Sequence, residues 1–246
     1  MTQLSVNVNK IATLRNTRGL EIPNIVKLST IVLDAGAKGI TVHPRPDQRH
    51  IRPYDVDALA QLVSRYPGRE YNIEGNPFHG LVEHCLRVCP DQATLVPDAR
   101  EDLTSNHGWN LIELESDAQQ ALTGAIDKLH EIGTRVSLFL DPVEAMIPIA
   151  KQLGADRVEL YTEPFAAGFA QGRSVQAVKP YVTAAAAALE SGLGINAGHD
   201  LSLDNLAFFL KQVGKVDEVS IGHALIADAL EFGLVSTVEK YLAACQ

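Results

Sequence analysis

Short β-branched runs recur along the chain, each followed by a polar turn and a stretch in which apolar residues return every three or four positions. The runs predict strands over 4–9 (LSVNVN), 39–43 (GITVH), 70–74 (EYNIE), 93–97 (ATLVP), 135–140 (RVSLFL), 157–161 (RVELY), 193–198 (LGINAG) and 218–222 (EVSIG). The periodic stretches predict helices over 23–36, 55–65, 78–88, 118–132, 143–153, 174–191, 202–212 and 224–244. Several helical stretches end in a glycine just before the next strand, as in LDAGAKGITVH, LHEIGTRVSLF, KQLGADRVELY and LESGLGINAG. Glycine takes the left-handed conformation after a helix at little steric cost, so this punctuation marks repeated returns from helix to strand. Eight alternating units predict an α/β protein built as a closed (β/α)8 TIM barrel rather than an open sheet.

No Gly/Ser-rich linker, low-complexity tract or long charge run divides the 246 residues. Barrels of about 200–250 residues routinely form one domain, so a single domain over 1–246 is expected. The stretch 98–117, DAREDLTSNHGWNLIELESD, is long for a strand-to-helix loop and predicts an extra short helix there or near 162–180.

Composition narrows the partners. A hydrophobic fraction of 46% with 21% charged residues is that of an ordinary soluble protein. The net charge of −9 argues against broad binding to nucleic acid or anionic membrane, while leaving room for a local basic pocket. After Met1 the segment TQLSVNVNK lacks the apolar centre of a signal peptide, and no run of 18 apolar residues follows, so a cytoplasmic protein without a membrane partner is expected. Cys85 and Cys89 share a helical face near His84, but no second Cys/His pair completes a metal framework, and the cysteines are assigned no function.

In barrels of this class the C-terminal strand ends gather the active site. Here those ends are polar on nearly every strand: Asn7, Asn9 and Lys10; His43 and Arg45; Glu74; Asp98 and Thr104; Asp141; Thr162 and Glu163; His199 and Asp200; Gly222 and His223. Singly, each has a structural explanation; Asp141 and Asp200, for example, read as helix N-caps. Their concentration at one end of the barrel points to chemistry. His43 and His199 suit acid/base work near neutral pH, and Glu74 among apolar walls would titrate in a raised range. Arg18, Arg45 and Arg49 offer forked donors for phosphate oxygens, and the helix opening at Gly222–His223 offers free backbone N–H groups. His43, His50 and His199 lie in different loops without an HExxH pair, and no GxGxxG, GxxxxGK[ST] or GxSxG motif occurs, so no metal or nucleotide motif is assigned.

The segments NVNKIATLRNTRG (7–19), GITVHPRPDQRHI (39–51), TLVPDAR (94–100), VSLFLD (136–141), INAGHDLSLDN (195–205) and SIGHALI (220–226) resemble, in consistent order, the pyridoxine 5′-phosphate synthase family (PdxJ) of vitamin B6 biosynthesis. The resemblance implies a (β/α)8 barrel with extra helices that assembles as a homo-octamer. It implies condensation of 3-amino-2-oxopropyl phosphate with 1-deoxy-D-xylulose 5-phosphate to pyridoxine 5′-phosphate, phosphate and water, without a cofactor. Carried over by position, His43 and Glu74 match the family's proton acceptors and His199 its proton donor. Asn7 and Arg18 would contact the amino-ketone phosphate; Arg45, His50 and Thr104 would hold the pentulose phosphate; Gly222 and His223 would cradle the phosphate kept in the product.

Three features depart from the family pattern. Asn9 and Lys10 replace the usual Asp-His pair, where Lys10 would neutralise a phosphate or form a Schiff base. Asp200 replaces the glycine that usually follows the NAGH histidine, placing a carboxylate near a phosphate site unless it caps a helix at Ser202–Leu203. The context of Glu74, IEGNP, also differs, so its placement rests on strand alignment. These features predict a subgroup with the same reaction and adjusted substrate contacts. Two other readings are an aldolase or isomerase of another phosphosugar using Lys10, and a non-catalytic barrel that binds a phosphorylated ligand.

Overall fold

A computed structural model describes residues 1–100, 102 and 104–246. Eight parallel strands close on themselves in chain order: β1 (Gln3–Asn7), β2 (Gly39–Val42), β3 (Glu70–Gly75), β4 (Gln92–Leu95), β5 (Arg135–Leu140), β6 (Arg157–Leu160), β7 (Gly194–Gly198) and β8 (Glu218–Ile221). The seam pairs Val6 with Ile221 on one side of β1 and with Ile40 on the other. Both faces of a barrel strand are covered, yet strands such as QLSVN, EYNIEG and EVSI alternate apolar with polar residues instead of reading as continuous apolar runs.

The two faces differ in character. Leu4, Val6, Ile40, Val42, Ile73, Leu95, Val136, Leu138, Val158, Ile195, Val219 and Ile221 are buried in the main core. The alternate positions carry Ser5, Thr41, Asn72, Thr94, Ser137, Glu159, Asn196 and Ser220, all buried. Ser5 and Thr41 hydroxyls meet at 2.7 Å, and Thr94 Oγ1 donates to Asn72 at 3.2 Å and to Glu159 at 3.4 Å. The lumen is therefore polar where barrels usually stack branched apolar side chains.

The helices are α1 (Asn9–Asn16), α2 (Ile25–Asp34), α3 (Pro53–Val63), α4 (Val82–Val88), α5 (Ser116–Glu131), α6 (Ile147–Gln152), α7 (Glu163–Ala170), α8 (Ser174–Ala177), α9 (Lys179–Glu190), α10 (Leu206–Val213), α11 (His223–Phe232) and α12 (Leu234–Ala244). The first was not expected: β1 stops at Asn7, and Asn9 and Lys10 open α1 instead of ending the strand. The additional helix falls at α7, with Pro164 in its first turn, and the described part of 98–117 contains none. The expected helix over 224–244 is broken at Gly233, whose φ of 80° and ψ of 148° no helix accommodates. Likewise 174–191 divides at Val178 into α8 and α9. No helix among the described residues is long and apolar enough to cross a membrane.

Candidate active site

The C-terminal strand ends surround a cavity of about 440 Å³. Of the expected residues, Asn7, Asn9, Lys10, His43, Arg45, His50, Glu74, Thr104, His199, Asp200, Gly222 and His223 all line it. Arg18 does not: it follows the end of α1 on an exposed segment. The other arginine of the RxxRG motif, Arg15, is buried and chelates Asp55 through two bonds of 2.5 and 2.8 Å. It also reaches the His50 carbonyl at 3.3 Å, so it braces the loop that carries His50.

Asparagines join the first three strands. Asn7 donates to Glu74 Oε2 at 3.2 Å and accepts from the Asn9 amide at 3.0 Å, and Asn9 Oδ1 accepts from the His43 amide at 3.0 Å. Asn9 thus fixes the backbone at His43. Close packing extends to β8, where a Cβ on Gly222 would lie 3.0 Å from Asn7 Cβ.

His43 Nδ1 stands 4.0 Å from Glu74 Oε2. Burial pushes the His43 imidazole well below its ordinary range, aided by Arg45, His50 and His199, so it is a neutral base. Burial pushes the Glu74 carboxyl well above its ordinary range, aided by Glu159, Asp98 and Glu218. Both partners are driven to their uncharged forms.

His199 is driven the other way. Burial opposes its charge, but the hydrogen bond and charge of Asp200, with Glu159 and Asp98, outweigh burial and raise its pKa. Its Nδ1 lies 2.6 Å from Asp200 Oδ2, and its Nε2 lies 3.1 Å from Thr104 Oγ1. The expectation that Asp200 caps a helix fails: α10 begins only at Leu206, and its N-terminal turn is fastened by Asn205 Oδ1 accepting from the Ser202 amide at 2.9 Å. Asp141 caps no helix among the described residues either: the turn after β5 has Val143 at its N-cap, without a side-chain bond.

The cationic wall is built from the loop after β2. Arg45 is paired with Asp98 and donates to the Asp102 carbonyl at 3.0 Å, while Ser105 Oγ donates to the same Asp98 oxygen at 2.7 Å. Arg49 lies beside it, held to Asp47 at 2.7 Å. His50 is buried and pushed down to about 4 by desolvation and by Arg45, Lys10 and Arg49. Its Nδ1 accepts from the Ile51 amide at 2.9 Å, so the neutral ring keeps its proton on Nε2 as a donor. At the start of α11 Gly222 supplies no side-chain cap, which leaves first-turn amide groups without intrahelical partners.

Sequence reasoning missed Thr13, Val96, Ser105, Phe139, Glu159 and Ser220, all in the lining. Glu159 is 4% exposed and is pushed up to about 7, mainly by burial and then by Glu218. Its signal was available: an acid at an inward position of RVELY, where both strand faces are covered, is costly unless used. Ser220 Oγ is buried without a hydrogen-bond partner among the described residues. Phe139, Tyr161 and Val96 form a small apolar cluster, and the Tyr161 ring centroid is 6.0 Å from that of His199.

Comparison with known proteins places the chain. The model of the family described as pyridoxal phosphate biosynthesis protein PdxJ matches residues 4–246. The chain is 52% identical to the pyridoxine 5′-phosphate synthase of Albidiferax ferrireducens, covering 98% of this chain and 96% of that protein. It is also 52% identical to that of Cytophaga hutchinsonii, covering 98% of each. Among solved structures, 3-hexulose-6-phosphate synthase superposes with a TM-score of 0.64 at 12% identity over 99% of both chains. Thiamine phosphate pyrophosphorylase from Pyrococcus furiosus superposes with a TM-score of 0.61 at 15% identity over 99% of this chain and 95% of that one. Those two similarities speak to the barrel fold alone. With a family model spanning nearly its full length and relatives at half identity throughout, the chain belongs to the PdxJ family.

Proposed function

We propose that this barrel is a pyridoxine 5′-phosphate synthase that condenses 3-amino-2-oxopropyl phosphate with 1-deoxy-D-xylulose 5-phosphate, forming pyridoxine 5′-phosphate, phosphate and water. The observation that carries this reading is one cavity in which His43 and Glu74 stand 4.0 Å apart, each pushed by burial toward its uncharged form, while His199 is held toward its charged form. The amine of one substrate adds to the ketone of the other, and loss of water gives an imine. Elimination of a second water, replacement of the departing phosphate by a water oxygen, carbon–carbon closure and a last dehydration then give the aromatic ring, so that two waters and one phosphate are lost in all. Every step moves a proton, and none requires a change of oxidation state supplied from outside.

In this reading His43 and Glu74 exchange protons with the carbons and amine of the condensing chain. His199 gives its Nε2 proton to departing oxygen. Glu159, titrating near neutrality, holds or yields a proton beneath them. Arg45 and the His50 Nε2 proton take the pentulose phosphate, with Thr104 and Ser105 at its edge. Asn7 and the opening amides of α11 at Gly222 and His223 take the phosphate that stays in the product. Lys10, exposed at the rim, steers anions inward rather than forming a Schiff base, since no burial desolvates its amine.

The same reading carries a cytoplasmic, single-domain homo-octamer with small phosphorylated substrates as its partners. Exposed Leu230, Phe232 and Val235 on the α11–α12 hairpin supply apolar surface for such an assembly. The test is turnover by the purified protein: pyridoxine 5′-phosphate appears when both substrates are supplied and not when either is withheld.

A further inference from the structure

We propose that Asp200 is a positioning residue for His199, fixing the tautomer and orientation of its ring so that Nε2 alone exchanges protons with the cavity, and that it is not a ligand for substrate phosphate. This deepens the reading above, which supplies the reaction whose rate it would affect.

The local backbone is built to hold this pair. His199 has a φ of 30°, a left-handed conformation that is uncommon outside glycine and clusters at functional sites. Gly198 before it tolerates no side chain, since a Cβ there would come within 2.0 Å of the Ser220 carbonyl oxygen. Thr162 Oγ1 donates to the Gly198 carbonyl at 2.6 Å and accepts from the Asp200 amide at 3.3 Å. Asn205 Nδ2 donates to the Asp200 carbonyl at 3.3 Å. Asp200 is thus clamped through its amide and its carbonyl, and the remaining freedom is that of a short side chain.

That side chain ends 2.6 Å from His199 Nδ1. An ionised carboxylate only accepts, so Nδ1 must carry the hydrogen in both charge states of the ring. The neutral ring then presents a lone pair at Nε2, where the Thr104 hydroxyl donates from 3.1 Å, and the charged ring presents a proton there. The other titratable groups facing His199 are Glu159 and Asp98, which favour its charge, and His43, whose own charge is suppressed by His199. Tyr161 contacts the ring through an edge-on aromatic contact. Asp200 is the one of these bonded directly to the imidazole. Its pairing also removes the objection to an acid beside bound phosphate, since the charge is spent on the ring.

The experiment compares wild type with D200N and D200G, using H199N to assign the His199 ring resonances. Ring ¹⁵N shifts are followed against pH, and kcat and KM for both substrates are measured over the same range. In the wild type Nδ1 stays protonated and only Nε2 titrates. In D200G the neutral ring becomes a mixture of tautomers, and in both variants the His199 midpoint moves down. The kcat falls by roughly 10–100-fold, the scale on which orienting partners of functional imidazoles act. KM for both substrates and the thermal midpoint stay near wild type. Unchanged ring shifts and midpoint in D200G would overturn the proposal. So would a changed KM at unchanged kcat, which would make Asp200 a substrate contact. A wild-type protein that forms no product would refute the proposed reaction, while the ring measurement would still decide the role of Asp200.

Discussion

His43 and Glu74 face each other across 4.0 Å at the ends of adjacent strands, and the barrel drives both away from charge. In water an imidazole and a carboxyl at this spacing would form an ion pair. Here burial and the neighbouring Arg45 suppress the cation, while burial and Glu159 suppress the anion. A base that is neutral beside an acid that is protonated is the arrangement required to relay a proton in either direction at neutral pH.

The first consequence concerns rate. E74Q keeps the shape and hydrogen-bonding reach of the side chain but carries no transferable acid proton. Turnover should fall by about 10²–10⁴-fold, the usual contribution of a positioned acid or base, and H199N should do the same. Circular dichroism and thermal unfolding should stay close to wild type. A stability loss in proportion to the activity loss would instead make these residues structural.

A second consequence concerns stability and pH. Glu159 and Glu218 are each pushed up to about 7, chiefly by burial. Between their ordinary range and that value these two carboxyls bind more protons in the folded chain than in the unfolded one, so their contribution to stability is full at low pH and is lost as pH rises through about 7. The thermal midpoint of the wild type should drop between pH 5 and pH 8, and E159Q should lose less over the same span. Equal losses in the two proteins would contradict the placement of a strained acid in the lumen.

Arg15 and Asp55 provide a purely structural test. Both are buried, and two hydrogen bonds join them. Removing one partner strands the other charge in a dry site, which costs about 3–5 kcal/mol. R15A or D55A should therefore lower the thermal midpoint strongly. The unfolding free energy from denaturant titration gives the number, and a loss below about 1 kcal/mol would mean the pair is solvated like a surface bridge.

Ser220 behaves oppositely. Its hydroxyl is buried in the cavity wall without a partner among the described residues, and an unmade hydrogen bond of this kind costs stability. S220A should leave the thermal midpoint unchanged or raised, while KM rises because a bound substrate loses the hydroxyl. A fall in stability with KM unchanged would show that Ser220 is satisfied within the fold.

Which of these features could be read from the sequence follows from their physics. The barrel was readable because eight short β-branched runs alternate with stretches of helical period, and glycines mark several of the returns from helix to strand. His43, Glu74 and His199 were readable because charge-bearing side chains at strand ends need a reason. Helix α1 was not, since only Ile11, Ala12 and Arg15 turn inward, too few for a periodic signal. RxxRG does not show which arginine faces in: Arg15 is buried against Asp55, while Arg18 lies exposed outside the cavity lining. Asp200 resembled a helix cap because one-dimensional spacing cannot show that the chain turns left-handed at His199 and presents the carboxylate to the ring.

The central claim is that this cavity joins two phosphorylated carbon chains into an aromatic ring. Its most direct measurement is the parallel assay of pyridoxine 5′-phosphate and released inorganic phosphate from purified protein given both substrates. The predicted result is the two products appearing together in equal amounts and both disappearing in H199N. Phosphate release without pyridoxine 5′-phosphate, or neither product where a known family member is active under the same conditions, would contradict it.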